Sequence, residues 1–378
     1  LVLGSLERSL SRLGVALVAM TVALSAVVSI TLMVHSFRLS LLDWLDRTLS
    51  ADLYIGQINR RAAQSGQGLD PKLLDRLTRE PGIAQIVQLR MTPVYFSHSG
   101  QALTTTQLAA QTLEVGELGR LKFLEGGGPM GDGQLLASEP FMRRHHLRLG
   151  QALELTTPQG PRSWQIAGVF QDYASDSGYL MMDLPQYQKF FRDKVVSGLG
   201  VYLDPMGPAD GDEALRSKIL GWPESAALEV RSQRALRKLS VEIFEQTFQV
   251  TRLLQILAVL VACAGIAGAV AANQLERRRE FALWSCLGLT RWQRRGLQWS
   301  EAALCALWAG LAAWPCGLLQ AYAMVHFINR RAFGWSLDFH MDGATLLMTP
   351  FLALVSATLA VALSKPSGRT PAEDLRQE

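Results

Sequence analysis

Four apolar runs restrict what this chain of 378 residues can fold into. A helix crosses a bilayer core with about 20 residues at 1.5 Å each. Gly14–Val34, "GVALVAMTVALSAVVSITLMV", carries no charge at all. Leu253–Ala272 has only Gln255 as a strongly polar residue, Ala302–Ile328 is longer and is interrupted by Pro315 and Gly317, and Gly343–Leu363 completes the set. A soluble core accommodates one such helix; four together predict a membrane protein. The first run exceeds the apolar core of a secretory signal, and "HSFRLSLLDWL" behind it offers no small-residue cleavage site, so it reads as a retained span.

Arginine and lysine placement orients the spans. Arg8 and Arg12 precede the first; Arg277, Arg278, Arg279, Arg291, Arg294 and Arg295 lie between the second and third; Lys365, Arg369 and Arg376 follow the fourth. The short opposite loop, "NRRAFGWSLDFHMD", has only Arg330 and Arg331. The expected plan is a cytoplasmic segment 1–12, a span 13–34, an extracytoplasmic domain 35–252, a span 253–273, a cytoplasmic loop 274–299, a span 300–328, a short outer loop 329–342, a span 343–363 and a cytoplasmic tail 364–378. The net charge of +4 is mostly this bias, and no basic stripe interleaved with aromatics argues for nucleic acid. Cys263, Cys286, Cys305 and Cys316 all lie outside the exported region, which must hold itself by its own core rather than by disulfides.

Both ends of that region carry helical stripes. Phe37, Leu41, Trp44, Leu45 and Leu49 continue the first span; Leu236, Leu239, Ile243, Phe244 and Phe248 approach the second. Neither stretch has a Gly or Pro break, so both read as helical stalks. Between them "ADLYIG" and "LGVYLD" read as strands, "PGIAQIVQLRMTPVYFSHSG" as two strands, and "QALELTTPQGPRSWQIAGVFQDY" as a hairpin turning at Pro158–Pro161. Helices are expected in "PKLLDRLTRE", opened by Asp70, in "DLPQYQKFFRD" and in "GDEALRSKILG". Strands and helices without strict alternation predict an α+β domain inserted between the first two of four transmembrane helices.

Chemistry-bearing motifs are scarce. No G-x-x-x-x-G-K-[ST] is present, so the chain has no such nucleotide cradle. "LEGGGPMGDG" reads as a flexible loop, His145-His146 as a solvated pair, and Asp172 with Asp176 as a polar turn between strands. The expectation is a protein without an active site.

The stretch Glu276–Gln298, "ERRREFALWSCLGLTRWQRRGLQ", is more structured than topology requires. Phe281, Trp284 and Leu287 form an apolar stripe, Gly288 suits a helix C-cap, and Thr290-x-x-Gln293 reads as a capping box opening the next helix. Such a helix fits the headgroup region or a groove on a cytoplasmic partner. In the second span, Ala264, Gly265, Gly268 and Ala272 belong to small-residue rows that permit close helix approach, as a dimer seam needs.

"ERRREFALWSCLGLTRWQ" resembles the segment after the second span in FtsX-like and MacB-like ABC transporter permeases, with matches at Arg279, Glu280, Leu283, Leu287, Gly288 and Thr290 and departures at Phe281, Trp284, Ser285, Cys286 and Leu289. The tail "TPAEDLRQE" also resembles the family's ending, and the layout resembles it across the whole chain. The resemblance implies a dimer, from a second permease half or a homodimer, in the bacterial cytoplasmic membrane. It implies a separate cytoplasmic ATPase, which holds the ATP and Mg and docks on Arg279, Glu280, Phe281, Trp284, Leu287, Gly288, Thr290 and Gln293; this chain itself needs no cofactor or metal. ATP-driven motion reaches the outer domain through the stalks and acts on a lipoprotein, lipid, peptide or efflux substrate, with a periplasmic adaptor or lipoprotein among the implied partners. A membrane regulator or ligand sensor without transport is the alternative. The opening "LGSLERSLSRLGVALVAM" resembles the start of a second unit and, with no initial Met, leads to the expectation of the C-terminal half of a ten-span member.

Overall fold

The computed structural model describes residues 2–58, 68–98, 102–113, 115–208, 211–276, 290–332 and 334–363. By their contacts they form two units: a strand-rich unit of Ser40–Glu245 with Asn329–Ser336, named the outer unit for its expected side, and a helical unit of Leu1–Leu39, Gln246–Ile328 and Leu337–Glu378.

The chain begins with α1, Val2–Thr48, one helix of 47 residues that includes the first apolar run and its amphipathic extension. Then come β1 (Leu53–Gln57), α2 (Pro71–Thr78), β2 (Ile83–Ser97), β3 (Thr104–Gln111), β4 (Phe123–Gly126), β5 (Gln134–Ser138), α3 (Glu139–Arg144), β6 (Ala152–Thr157) and β7 (Gly160–Phe170). β8 (Tyr179–Asp183), α4 (Leu184–Phe191), β9 (Gly198–Leu203), α5 (Gly211–Leu220) and β10 (Leu228–Ser232) follow, with short helical turns at Val115–Leu118 and Pro223–Ala227. The ten strands run β10-β1-β9-β2-β3-β8-β5-β7-β4, and β6 pairs with both β2 and β7. That last pairing returns the sheet on itself, because β2, β3, β8, β5, β7 and β6 are each bonded to the next around a ring.

The ring encloses the larger core. Its inward residues include Leu108, Leu135, Leu153, Leu155, Trp164 and Leu180, with Phe141 of α3 and Tyr187 of α4 packed among them. The alternation in β6, where Leu153, Leu155 and Thr157 are buried and Ala152, Glu154 and Thr156 are not, is the period-two pattern of a strand with one wet face. A second core lies on the arm of β10, β1, β9 and β2, where Leu73 and Leu77 of α2 and Leu215 and Ile219 of α5 pack against Leu53, Ile55 and Val201. Each helix contributes an i, i+4 pair, the spacing that keeps two side chains on one face.

The α+β reading, the hairpin and the three anticipated helices stand. Asp70 caps α2 by accepting from the Lys72 N–H at 2.9 Å. The two strands expected over residues 81–100 are one 15-residue strand instead. Pro93 lacks an N–H and lies where β2 has a neighbour on one side only, since β9 pairs as far as Leu89 and β6 begins at Phe96. The proline therefore costs no ladder bond. The glycine-rich stretch is partly ordered as β4, with Gly126 opposite Gly168 on β7.

α6 (Gln233–Glu276) is a single helix of 44 residues, joining the second amphipathic approach to the second apolar run. α7 (Arg291–Ala323) passes through Pro315 and Gly317 rather than breaking there, then continues as a π-helical turn Met324–Ile328 and a short turn Asn329–Ala332. α8 (Gly343–Leu363) also contains a proline, Pro350. Gly310 and Gly317 explain how α7 packs: a Cβ on Gly310 would stand 2.8 Å from Pro350 Cα, and one on Gly317 would stand 2.7 Å from Val28 Cβ. Among the described residues, Leu17–Thr48 and Arg295–Ala332 are long and apolar enough to cross a membrane, and Gly343–Thr358 is a shorter apolar helix.

Candidate functional site

Of the residues expected to meet an ATPase, Arg279, Glu280, Phe281, Trp284, Leu287 and Gly288 lie outside the described residues. Thr290 and Gln293 form the capping box at the start of α7. The Thr290 hydroxyl accepts from the Gln293 backbone N–H at 3.3 Å, and the Gln293 side-chain Oε1 accepts from the Thr290 N–H at 3.0 Å. Two of the four otherwise unbonded N–H groups at this helix end are thereby satisfied. Trp292 in the same first turn is 80% exposed, an apolar surface group the sequence reading did not single out.

On α6, Ala264, Gly265 and Gly268 are exposed, and a Cβ on either glycine would meet nothing within 4 Å; the side chain of Ala272 lies outside the described residues. Leu253, Ile256, Leu257, Leu260 and Val261 on this helix are exposed as well. On its other flank the Ser356 hydroxyl of α8 reaches Cys263 Sγ at 3.0 Å. In the isolated chain α6 thus presents an open apolar face carrying a small-residue seam.

The outer ends of α1 and α6 are tied together. Arg237 Nε donates to Asp46 at 2.6 Å, the Gln233 N–H donates to Asp52 O at 2.9 Å, and the Gln233 side chain donates to Leu49 O. Around these ends opens a cavity of about 1000 Å³, lined by Trp44, Tyr54, Arg120, Asp172, Tyr202 and Arg231 among others. Arg120 stacks on the Tyr202 ring at 4.5 Å and donates to Ser50 Oγ at 3.3 Å and to the Tyr202 hydroxyl. Arg231 pairs with Glu229.

Asp172 and Asp176 lie between β7 and β8, as the reading of a polar turn between strands expects, but Asp172 is buried there. It is 1% exposed, one carboxylate oxygen accepts from the Ala174 N–H at 3.3 Å, and the other has no partner among the described residues. Burial pushes its pKa up to about 6. Asp176, by contrast, is exposed and accepts from Ser177. The two histidines also separate: His145 packs against the rings of Phe96 and Phe141 at 4.9 and 4.7 Å, which lowers its pKa through burial, while His146 is exposed with φ 53°. No group of three or more His, Cys, Asp or Glu among the described residues is placed to hold a metal ion.

A contact absent from the sequence reading is the seat of residues 329–336 on α3 and the turn after β7. The Glu139 carboxylate, 3% exposed, accepts from the Ser336 N–H at 2.8 Å and from its hydroxyl, and pairs with Arg143 at 2.7 Å. Gln171 and the Tyr173 hydroxyl both donate to Ser336 O, at 2.6 and 2.7 Å, and Trp335 meets the Tyr173 ring edge-on at 5.6 Å. Its only sequence signal is Trp335 and Ser336 in an otherwise short polar loop.

The sequence family described as the MacB-like periplasmic core domain matches residues 13–217, more than half the chain, and the FtsX-like permease C-terminal family matches residues 252–366. The chain belongs to the FtsX-like and MacB-like ABC transporter permeases. An uncharacterized ABC transporter permease protein of Mycobacterium tuberculosis is 29% identical over 367 residues, 94% of this permease and 42% of that relative. The permease therefore spans less than half that relative's length. Among solved structures, the periplasmic region of MacB from Actinobacillus actinomycetemcomitans aligns at TM-score 0.40 and 13% identity, covering 51% of this chain and 92% of that one. The extracellular domain of the transporter YknZ from Gram-positive bacteria aligns at 0.34 and 14%, covering 48% and 99%. Family membership makes the permease a membrane protein with an extracytoplasmic domain.

Proposed function

We propose that this permease is the transmembrane subunit of an ABC transporter, coupling ATP hydrolysis by a separate cytoplasmic ATPase to motion of its outer domain. The observation that carries the reading is the continuity of α1 and α6. Each runs without interruption, for 47 and 44 residues, from an apolar run into the outer unit. A helix transmits axial and rotational displacement along its hydrogen-bonded length, and the ties at Asp46–Arg237 and Gln233 make the two outer ends move together. The full topology belongs to this proposal: spans at 13–34, 253–273, 300–328 and 343–363, both termini and the arginine loop in the cytoplasm, the large domain outside the cytoplasmic membrane. ATP and Mg reside in the partner ATPase, which docks on the helix around Trp284 and Leu287. Ala264, Gly265, Gly268 and Ala272 pack against a second permease half or a second copy. The cargo is a lipoprotein, lipid, peptide or efflux substrate of the envelope, with an adaptor or lipoprotein as outer partner.

A second reading is favoured by the cavity of about 1000 Å³ beside the helix ends. A ligand held there regulates an envelope partner without being transported. The deciding experiment is gentle purification from the native membrane with assay of ATP hydrolysis in the eluate. A co-eluting ATPase that is lost in W284D/L287D, with the outer unit still folded, supports the transporter reading. A stable complex in that double variant sinks the assigned coupling surface, and an eluate of intact dimers with no nucleotide-binding partner favours the regulator.

A further inference from the structure

The seat of residues 329–336 has an electrostatic consequence. Arg143, in the last turn of α3, donates from Nη1 to the backbone O of Arg330 at 3.4 Å, while its other nitrogen is committed to Glu139. Arg330, which is exposed, is thus brought beside Arg143, and the exposed Arg331 and Arg144 adjoin the two in sequence. Arg143 registers the crowding: its pKa is lowered by burial first and, after the opposing effect of Glu139, by the positive charge of Arg330. Among the described residues, the carboxylates in contact with Arg143 and Arg144 are Glu139 and, through Ser177, Asp176. Glu139 is buried and already spent on Ser336 and Arg143, and Asp176 reaches Arg144 only through the Ser177 hydroxyl. The edge keeps a positive excess.

Three points indicate what balances it. Ser336 is held from both its N–H and its carbonyl side, and the Arg330 carbonyl accepts from Arg143, so the segment is anchored at two points of the outer unit. Arg330 and Arg331 follow the apolar run that ends at Ile328 by only two and three residues, so chain continuity holds them within about 5 Å of its end at 1.5 Å per residue. Arginines on the outer side also run against the cytoplasmic bias of basic residues in membrane proteins, which leaves them in want of a local reason. A phosphodiester presents planar guanidinium groups with paired acceptor oxygens at the depth where the helix leaves the bilayer.

We propose that the edge formed by Arg143, Arg144, Arg330 and Arg331 binds the phosphate of an anionic phospholipid in the outer leaflet. The outer unit is thereby fastened to the membrane surface at residues 329–336 as well as through its helices. This rests on the topology proposed above, which places that segment outside.

The test uses the full chain in nanodiscs of phosphatidylcholine with phosphatidylglycerol, released gently, with retained lipid counted by native mass spectrometry. The wild-type chain is expected to retain phosphatidylglycerol in preference to phosphatidylcholine. R330Q/R331Q is expected to lose at least about fivefold of that preference, the value of one basic residue near an anionic surface. R330K/R331K should recover much of it, and R294Q/R295Q, in the arginine loop, should leave the outer-edge contribution in place. Equal retention in wild type and R330Q/R331Q overturns the proposal. So does loss of the difference when inorganic phosphate alone is added, which would make the edge a site for free phosphate. Topology is read separately from R331C in a chain whose four native cysteines are replaced. Labelling by an impermeant maleimide from outside supports the placement, and labelling only from the cytoplasmic face overturns the topology itself rather than the lipid contact.

Discussion

The outer unit and the helical unit are packed from different mixtures of residues. In the outer unit the fully buried side chains are large, with Trp164, Phe141 and Phe170 among them. In the helical unit the buried contacts join Ala306, Ala309, Ala313, Ala353 and Ala357 to Met20 and Leu24 of α1, with Val28 and Leu32 of α1 buried as well, while Val18, Leu319, Leu347 and Phe351 are exposed. In water, burying large apolar surface supplies the driving force, about 25 cal/mol per Å². Against lipid tails that gain is absent, and close backbone approach with dispersion takes its place. Gly310 against Pro350 and Gly317 against Val28 are such approaches, and Trp314 adds a hydrogen bond from its indole to Leu346 O at 3.0 Å. The difference teaches that hydrophobicity alone does not locate a core: in the helical unit large apolar residues stand both inside, as Leu24 and Leu32 do, and outside, as Leu319 and Phe351 do.

The comparison is most sharply tested at Trp164. It is 1% exposed and stands about 6 Å from the rings of Phe190 and Phe191. W164A should cost the outer unit about 3–5 kcal/mol, seen in denaturant unfolding, whereas W308A at an exposed site of the helical unit should cost it little. Comparable losses at both positions would end the distinction.

Asp172 marks where the outer unit departs from a dry core. Its pKa rises from an ordinary 3.8 to about 6, so with increasing pH the unfolded chain ionises first. Stability is therefore full below about pH 4, falls as pH rises from about 4 to about 6, and is level above that. At about 1.4 kcal/mol per pH unit the loss is on the order of 3 kcal/mol. D172N should abolish this slope in unfolding followed across the same window. A slope unchanged in D172N would assign it to other groups.

In the helical unit the vulnerable direction is the reverse, toward larger residues. G317L places a side chain where even a Cβ would lie 2.7 Å from Val28, and overpacking of this kind costs about 1–3 kcal/mol. Detergent denaturation followed by helical signal should report it, with the outer unit's transition unmoved. The smallest effect is expected at Asp46–Arg237, whose side chains are 55% and 44% exposed. A double-mutant cycle on this surface pair should give under about 1 kcal/mol; a much larger coupling would make the tie between the two helix ends a principal support of the fold.

Much of the architecture was legible because its signals are local. The β6–β7 hairpin shows alternation around Pro158 and Gly160, α2 opens with Asp70-Pro71, and the capping box at Thr290 and Gln293 needs only a four-residue window. β3, β5 and β8 escaped notice. β5 and β8 are short and buried, and the pairs β3–β8 and β5–β7 are parallel, so partners distant in sequence define them. The ring closed by β6, the burial of Asp172 and the Ser336–Glu139 seat are likewise long-range.

By itself the sequence determined the apolar runs, the sign of the charge bias, the helical continuity beyond two of those runs and the family. Each depends on composition or on spacing within a few turns. Only the tertiary structure decided that residues 329–336 fold with the outer unit, that Asp172 is buried with one oxygen unpartnered among the described residues, and which alanines of α7 and α8 face inward in the helical unit. Those outcomes depend on which groups meet after the chain has closed on itself, and burial and charge juxtaposition are properties of that meeting.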